Sequence, residues 1–171
     1  TSGSVVIAPV ETTLDALCLS WPRPRSAKPS ASLVRSIAAG GGDRRTLVWM
    51  LYSGESQVKS ALSALAGQVR VQTDLVFFSG FANRQAHAAL YQLFSAPPNP
   101  YEYFVKLDAD MVLIGPDSLA NALEYAHQCQ ADELVIPVED WLSEEAIYGA
   151  HIFAPGLKWK IPVDEERFVD P

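Results

Sequence analysis

The sequence predicts an α/β domain with a mostly parallel, twisted sheet and flanking helices. Short apolar or β-branched runs alternate with segments of helical period along most of the chain. Residues 46–52 (TLVWMLY) are almost continuously apolar, as a parallel strand covered on both faces requires. The runs end in small or acidic residues, which marks strand ends. Connections in such a sheet are right-handed, and ligands sit beyond the carboxyl ends of the strands.

The elements follow in order. Residues 4–9 (SVVIAP) form an apolar run stopped by Pro9, a buried-strand signal. Residues 12–21 place Leu14, Leu17 and Trp21 at helical spacing, with Thr12 or Thr13 as N-cap. Residues 22–30 (PRPRSAKPS) are loop, because proline removes donors and restricts its neighbours. Residues 32–39 read as helix, stopped by Gly40, Gly41 and Gly42. Residues 46–52 are the second strand, ended by Ser53-Gly54. Residues 56–68 form an amphipathic helix with Val58, Leu62 and Leu65 on one face. Residues 74–78 are the third strand and 83–94 a helix, broken by Pro97, Pro98 and Pro100. Residues 103–107 are the fourth strand and run into Asp108-Ala109-Asp110. A helix over 117–130 and strands over 133–138 and 147–154 complete the series.

Composition narrows the function classes. The chain has 171 residues, 49% apolar and 19% charged, which suits one globular domain. Its net charge of −7 sets aside nucleic acid and anionic membranes, which want a basic face. No apolar run approaches a membrane span. Cys18 and Cys129 lack any metal-ligand spacing, which predicts two buried thiols in a reducing, cytoplasmic compartment. The chain opens without Met and stops at Asp170-Pro171 without a closing helix, which predicts a piece of a longer protein.

The stretch YFVKLDADMVL is the most informative. An apolar strand delivers Asp108 and Asp110 two residues apart, on one face, with α-carbons ~7 Å apart. Two carboxylates there repel each other unless a cation lies between them. An oxygen-preferring divalent ion, Mn²⁺ or Mg²⁺, is the expected answer. Lys106 shares that face and can pair with an Asp or a phosphate. The plain alternative is two solvated loop aspartates with Lys106 in an ordinary salt bridge.

This DxD at the end of a fourth strand resembles the GT-A glycosyltransferases, especially the family-two type. SVVIAPVE is similar to the first-strand pattern VVIPTYNE, and LVWMLYSGES to the second-strand pattern IIVVDDGST. SGFANRQAHAALYQLF is similar to NxGxAxARNxGL, the helix leading to DxD. The resemblance implies a Rossmann-like GT-A fold in one domain over 1–171. Residues 1–112 would be the nucleotide-donor half and 113–171 a partial, truncated acceptor half.

It further implies a metal-dependent, inverting transfer of sugar from a UDP- or GDP-sugar to a saccharide or other hydroxyl acceptor. Pro9, Val10 and Glu11 would line the base pocket, and Ser53 and Gly54 would meet the nucleotide. Asn83 and Arg84 would lie near base or phosphate at a helix start. Asp108 would face ribose and metal, and Asp110 would bind the metal. The family's second-strand aspartates are replaced here by Tyr52 and Ser53, and the loop over 22–30 is an unusual insertion. The catalytic base would be Asp140 or Asp170, or lie beyond the chain. His151 is a candidate further metal ligand, and Asp140 with Trp141 a candidate sugar platform. Two rivals use the same residues: a catalytically silent nucleotide-binding domain of this type, and a metal-dependent phosphotransfer or nuclease-type domain.

Overall fold

The structure is a computed structural model and describes residues 8–19, 28–42, 44–96, 99–140 and 142–158. Seven strands build one sheet: β1 (Val10–Thr12), β2 (Ser30–Ala39), β3 (Arg45–Tyr52), β4 (Gln72–Ser79), β5 (Tyr103–Asp108), β6 (Glu133–Asp140) and β7 (Glu145–Phe153). The helices are α1 (Leu14–Leu19), α2 (Val58–Ala66), α3 (Asn83–Ser95) and α4 (Ser118–Gln128). The strand order is β1-β2-β4-β3-β5-β7-β6.

Only part of the sheet matches the expected parallel pattern: β3 pairs in parallel with β4 on one side and β5 on the other, and β1 with β2 at one edge. Antiparallel ladders join β2 to β4, β5 to β7, and β7 to β6. The sheet is therefore mixed, and the expectation of a mostly parallel, Rossmann-like GT-A sheet is corrected. The physical reason is connection length. β6 and β7 are joined by a tight hairpin, which can only make an antiparallel pair.

The sheet is covered on both faces. α2 and α4 pack with Val48, Met50, Leu75, Phe77, Val105 and Leu107 on one face. α3 packs with Leu47, Trp49, Val76, Phe78 and Phe104 on the other. Phe94 of α3 stacks on Phe104 of β5 at 4.0 Å between ring centroids. Strand alternation explains the division, since odd and even positions of β3 and β5 feed opposite faces.

The largest local departure is β2, where a helix was expected. Leu33, Val34, Ile37 and Ala38 repeat as on one helix face. In the strand that pattern is met by a bulge: Val34 faces Leu75 and Ala38 faces Thr73, so three residues of β2 oppose Asp74 alone. Ser36 within the bulge has φ +49, and its N–H donates to Asp74 Oδ1 at 2.8 Å. The residues 4–7 of the expected first strand lie outside the described residues. The strand present there, β1, begins at Val10. Most of the expected loop over 22–30 also lies outside.

The three glycines after β2 do not stop a helix. They let the β2–β3 connection press against residues 69–71. Gly40 N–H donates to the Val71 carbonyl at 3.0 Å and Arg70 N–H to the Gly40 carbonyl at 3.1 Å. A Cβ on Gly42 would fall 1.9 Å from the Arg70 carbonyl oxygen. Gln68 fixes the neighbouring corner. Its buried amide donates to the Gly115 carbonyl at 2.9 Å and accepts from Leu119 N–H at 2.9 Å, satisfying the start of α4. Cys129 is exposed and Cys18 half-buried, so the expected pair of buried thiols is not present; both are free.

Candidate functional site

The carboxyl ends of β3, β4 and β5 share one edge of the sheet. The chain leaves β3 towards α2 on one face and leaves β4 towards α3 on the other. Strand ends with diverging connections are the usual ligand position in such sheets. Ser53, Gly54 and Glu55 line one side of this edge, and Ser79 with Gly80 the next. Asp108 closes β5, directly across from Leu51 of β3.

The acidic pair is presented by a turn rather than by strand alternation. Met111 N–H donates to the Asp108 carbonyl at 3.0 Å, so the chain reverses over 108–111. Ala109 is fully buried, Asp108 half-buried and Asp110 exposed. Burial of Ala109 anchors the turn and leaves both flanking carboxylates at the sheet edge. The expected same-face spacing of an extended strand does not apply to Asp110.

Lys106 lies one alternation below Asp108 on the α3 face and is buried. It sits between Trp49 of β3 and His151 of β7. α3 begins at Asn83, four residues past the end of β4, so its start lies on the same edge and the same face as Asp108. No side chain caps this helix start, which leaves backbone N–H groups of the first turn to water or ligand. Arg84 is half-buried in that first turn and Asn83 is exposed.

At the end of β3 the Ser53 and Gly54 N–H groups donate to Glu55 Oε2, at 2.7 and 3.0 Å. Paired amides of this kind form a small anion nest, filled here by the chain's own carboxylate. Glu55 belongs to one of the strand ends the sequence singles out, and with Glu11 it is a candidate for the strand-end carboxylate of the rival phosphotransfer or nuclease-type reading.

Three groups of predicted residues do not join the site. Pro9, Val10 and Glu11 belong to the edge of the sheet, where β1 is four strands from β5, or ~19 Å away at ~4.8 Å per strand. They cannot line a pocket beside Asp108, because β2, β4 and β3 intervene. His151 is not a metal ligand in company with the aspartates. Its Nδ1 lies 2.8 Å from Glu133 Oε1 of β6, and its ring stacks on Phe153. Asp140 ends the outermost strand, and its carboxylate accepts from Leu142 N–H at 3.0 Å and Ser143 Oγ at 2.9 Å. Those hydrogen bonds, the Leu142 amide first, hold its carboxyl below the usual carboxylate range. The two hydrogen bonds make Asp140 a turn-closing residue. Asp170 and Trp141 lie outside the described residues.

The donor set bears on the expected cation. Among the described residues no three His, Cys, Asp or Glu side chains gather into a metal-holding group. Asp108 and Asp110 alone fit an ion that keeps most of its coordination for water and ligand phosphates, as Mg²⁺ does. No helix of the described residues is long and apolar enough to cross a membrane. Comparison with family models, with curated proteins and with solved structures finds no match.

Proposed function

We propose that the chain binds a nucleotide-diphospho-sugar at the carboxyl edge of β3, β4 and β5 and transfers the sugar to an acceptor hydroxyl. The observation that carries this reading is the Asp108-Ala109-Asp110 turn, anchored by buried Ala109 at the carboxyl end of a central strand. Asp108 and Asp110 are the groups to hold Mn²⁺ or Mg²⁺. When bound, such an ion neutralises a diphosphate and favours its departure as leaving group. Asn83 and Arg84 add a helix start suited to a phosphate. Lys106, buried beneath Asp108, offsets carboxylate charge when no cation is present. Ser53 and Gly54 stand where the nucleoside would meet the central strand, with Glu55 able to accept from a sugar hydroxyl.

A second reading, a silent nucleotide-binding module, is favoured by one observation. Asp140, the described candidate base, is engaged in its own turn. Calorimetric titration of UDP and GDP with Mn²⁺ tests both. Nucleotide binding that needs Mn²⁺ and disappears in Asp110→Ala supports the donor site. Absence of nucleotide binding with Mn²⁺ present overturns it. Release of sugar from a bound UDP- or GDP-sugar separates the transferase from the silent module.

A further inference from the structure

The amino edge of the sheet, opposite the DxD turn, holds a cavity of about 390 Å³ between the strand starts and α4. Arg44 stands before β3 and Glu102 before β5. They are side by side, since Glu102 N–H donates to the Arg45 carbonyl at 2.8 Å. Arg70 and Val71 stand before β4, which neighbours β3 on its other side. Ala120, Leu123 and Glu124 come from one face of α4. Four charged side chains, Arg44, Arg70, Glu102 and Glu124, thus line the cavity over buried Val71, Ala120 and Leu123.

Arg70 is held there in a strained conformation. Its φ is +62, a left-handed value that Gly or Asn adopts more readily. The segment is braced on two sides. Gly40 and Gly42 press on its backbone, where a Cβ on either would collide with it. Val69 N–H donates to the Pro116 carbonyl at 2.9 Å, which ties the segment to the start of α4. Strain of this kind collects at ligand-binding sites. The Arg70 side chain lies 3.3 Å from Glu124 and 3.5 Å from Asp117, and Arg44 lies 3.4 Å from Glu102. Tight charged hydrogen bonds are about 2.7–2.9 Å. These longer pairs, between side chains 30–56% exposed, stabilise little by themselves and open readily to a ligand.

Charge selects the ligand. The lining carries two positive and two negative groups. A simple anion would meet Glu102 and Glu124, and a simple cation would meet Arg44 and Arg70. A molecule that bears both charges finds a partner for each. We propose that this cavity binds a free α-amino acid with an apolar side chain. Its carboxylate pairs with the arginines, whose forked donors fit two carboxylate oxygens. Its ammonium pairs with Glu102 and Glu124, and its side chain lies on Val71, Ala120 and Leu123. A cavity of this size suits a small ligand. Glu102 and Asp108 stand at opposite ends of β5, ~20 Å apart at ~3.3 Å per residue. The site is therefore separate from the DxD turn and needs neither nucleotide nor metal.

The probe is L-leucine, titrated and read by saturation-transfer-difference NMR. Three relatives each lack one feature: 4-methylpentanoate has no ammonium, 3-methylbutylamine no carboxylate, and glycine no side chain. Leucine binds, and each relative binds about tenfold more weakly or not at all. Arg70→Gly and Glu124→Gln each weaken leucine binding about tenfold or more. Glycine takes a left-handed φ without strain, so Arg70→Gly keeps the fold. Far-UV circular dichroism verifies both variants. Leucine binds without Mn²⁺, and Asp110→Ala binds it as wild type does, so this proposal and the donor-site reading fail separately. Absence of a leucine signal overturns the proposal. Equal binding of any of the three relatives overturns it too. So does leucine binding that is unchanged in Arg70→Gly or in Glu124→Gln.

Discussion

Removal of the Asp74 carboxylate tests how β2 is held in its bulged register. Asp74 is buried and accepts from Ser36 N–H at 2.8 Å, Tyr101 hydroxyl at 2.7 Å, Arg35 at 2.9 Å and Arg45 at 3.1 Å. The arginine side chains are 46% and 43% exposed, so water replaces what they lose, and each pair contributes at most about 1 kcal/mol. The half-buried Tyr101 hydroxyl left unpaired costs about 1–3 kcal/mol, and the amide of exposed Ser36 about 1 kcal/mol. Asp74→Ala therefore destabilises by about 4 kcal/mol, and Asp74→Asn, which keeps an acceptor for Ser36, by about half that. Urea denaturation reads this as a lower midpoint with an unchanged slope. Acid gives the sign. Burial raises the Asp74 carboxyl, but the Ser36 amide, Tyr101 and the two arginines outweigh it and hold it below the ordinary 3.8. Its contribution is complete above that ordinary value and is lost as pH falls through the depressed one. The gap between wild type and Asp74→Asn is thus flat near neutrality and closes in acid. An Asp74→Ala cost under about 1 kcal/mol, or a gap that persists in acid, refutes the reasoning.

Other perturbations probe the same edge and the core. Burial and the hydrogen bond to Asp74 push the Tyr101 hydroxyl up to about 12. Ultraviolet titration shows Tyr101 ionising well after an ordinary tyrosine in wild type and earlier in Asp74→Asn; stability tied to it is lost as pH rises from about 10 towards 12. Thr73 is buried and its hydroxyl has no hydrogen-bond partner among the described residues. Thr73→Val stabilises by about 1 kcal/mol, a rise of about 3 °C in Tm by calorimetry. Gly42→Ala drives a methyl into the Arg70 backbone and costs about 2 kcal/mol or more, measured by thermal melting.

From β3 to α4 the sequence announces its structure, because local period and burial agree there. TLVWMLY is apolar on both faces and YFVKLD on one, both lie in the centre, and α2 and α3 bury the residues their period selects. β2 is different. Its Leu33/Val34 and Ile37/Ala38 pairs fit a helix, and distant partners, the β1 and β4 ladders and Asp74, 38 positions from Ser36, make the bulged strand the better answer. That contact is invisible to any local window. Sheet order is hidden for the same reason, and it removes Pro9, Val10 and Glu11 from the vicinity of Asp108. The DxD turn was legible because an apolar strand points to its own end. The engagement of His151 with Glu133 was not, since it depends on how β6 and β7 register with one another.

The mixed sheet also has a mechanical consequence. β7 bonds to β5 only over Phe104, Val105 and Lys106, whereas it pairs with β6 along nearly its whole length. The half of β7 from Glu145 to Gly149 thus leaves the sheet with β6 as its only strand partner, like a beam clamped at one end. Such an arm bends at its root without breaking the β3–β4–β5 centre, and its amide protons exchange with solvent through that local opening rather than through global unfolding. Anything gripping the tip pulls on the strand beside Lys106 and Asp108.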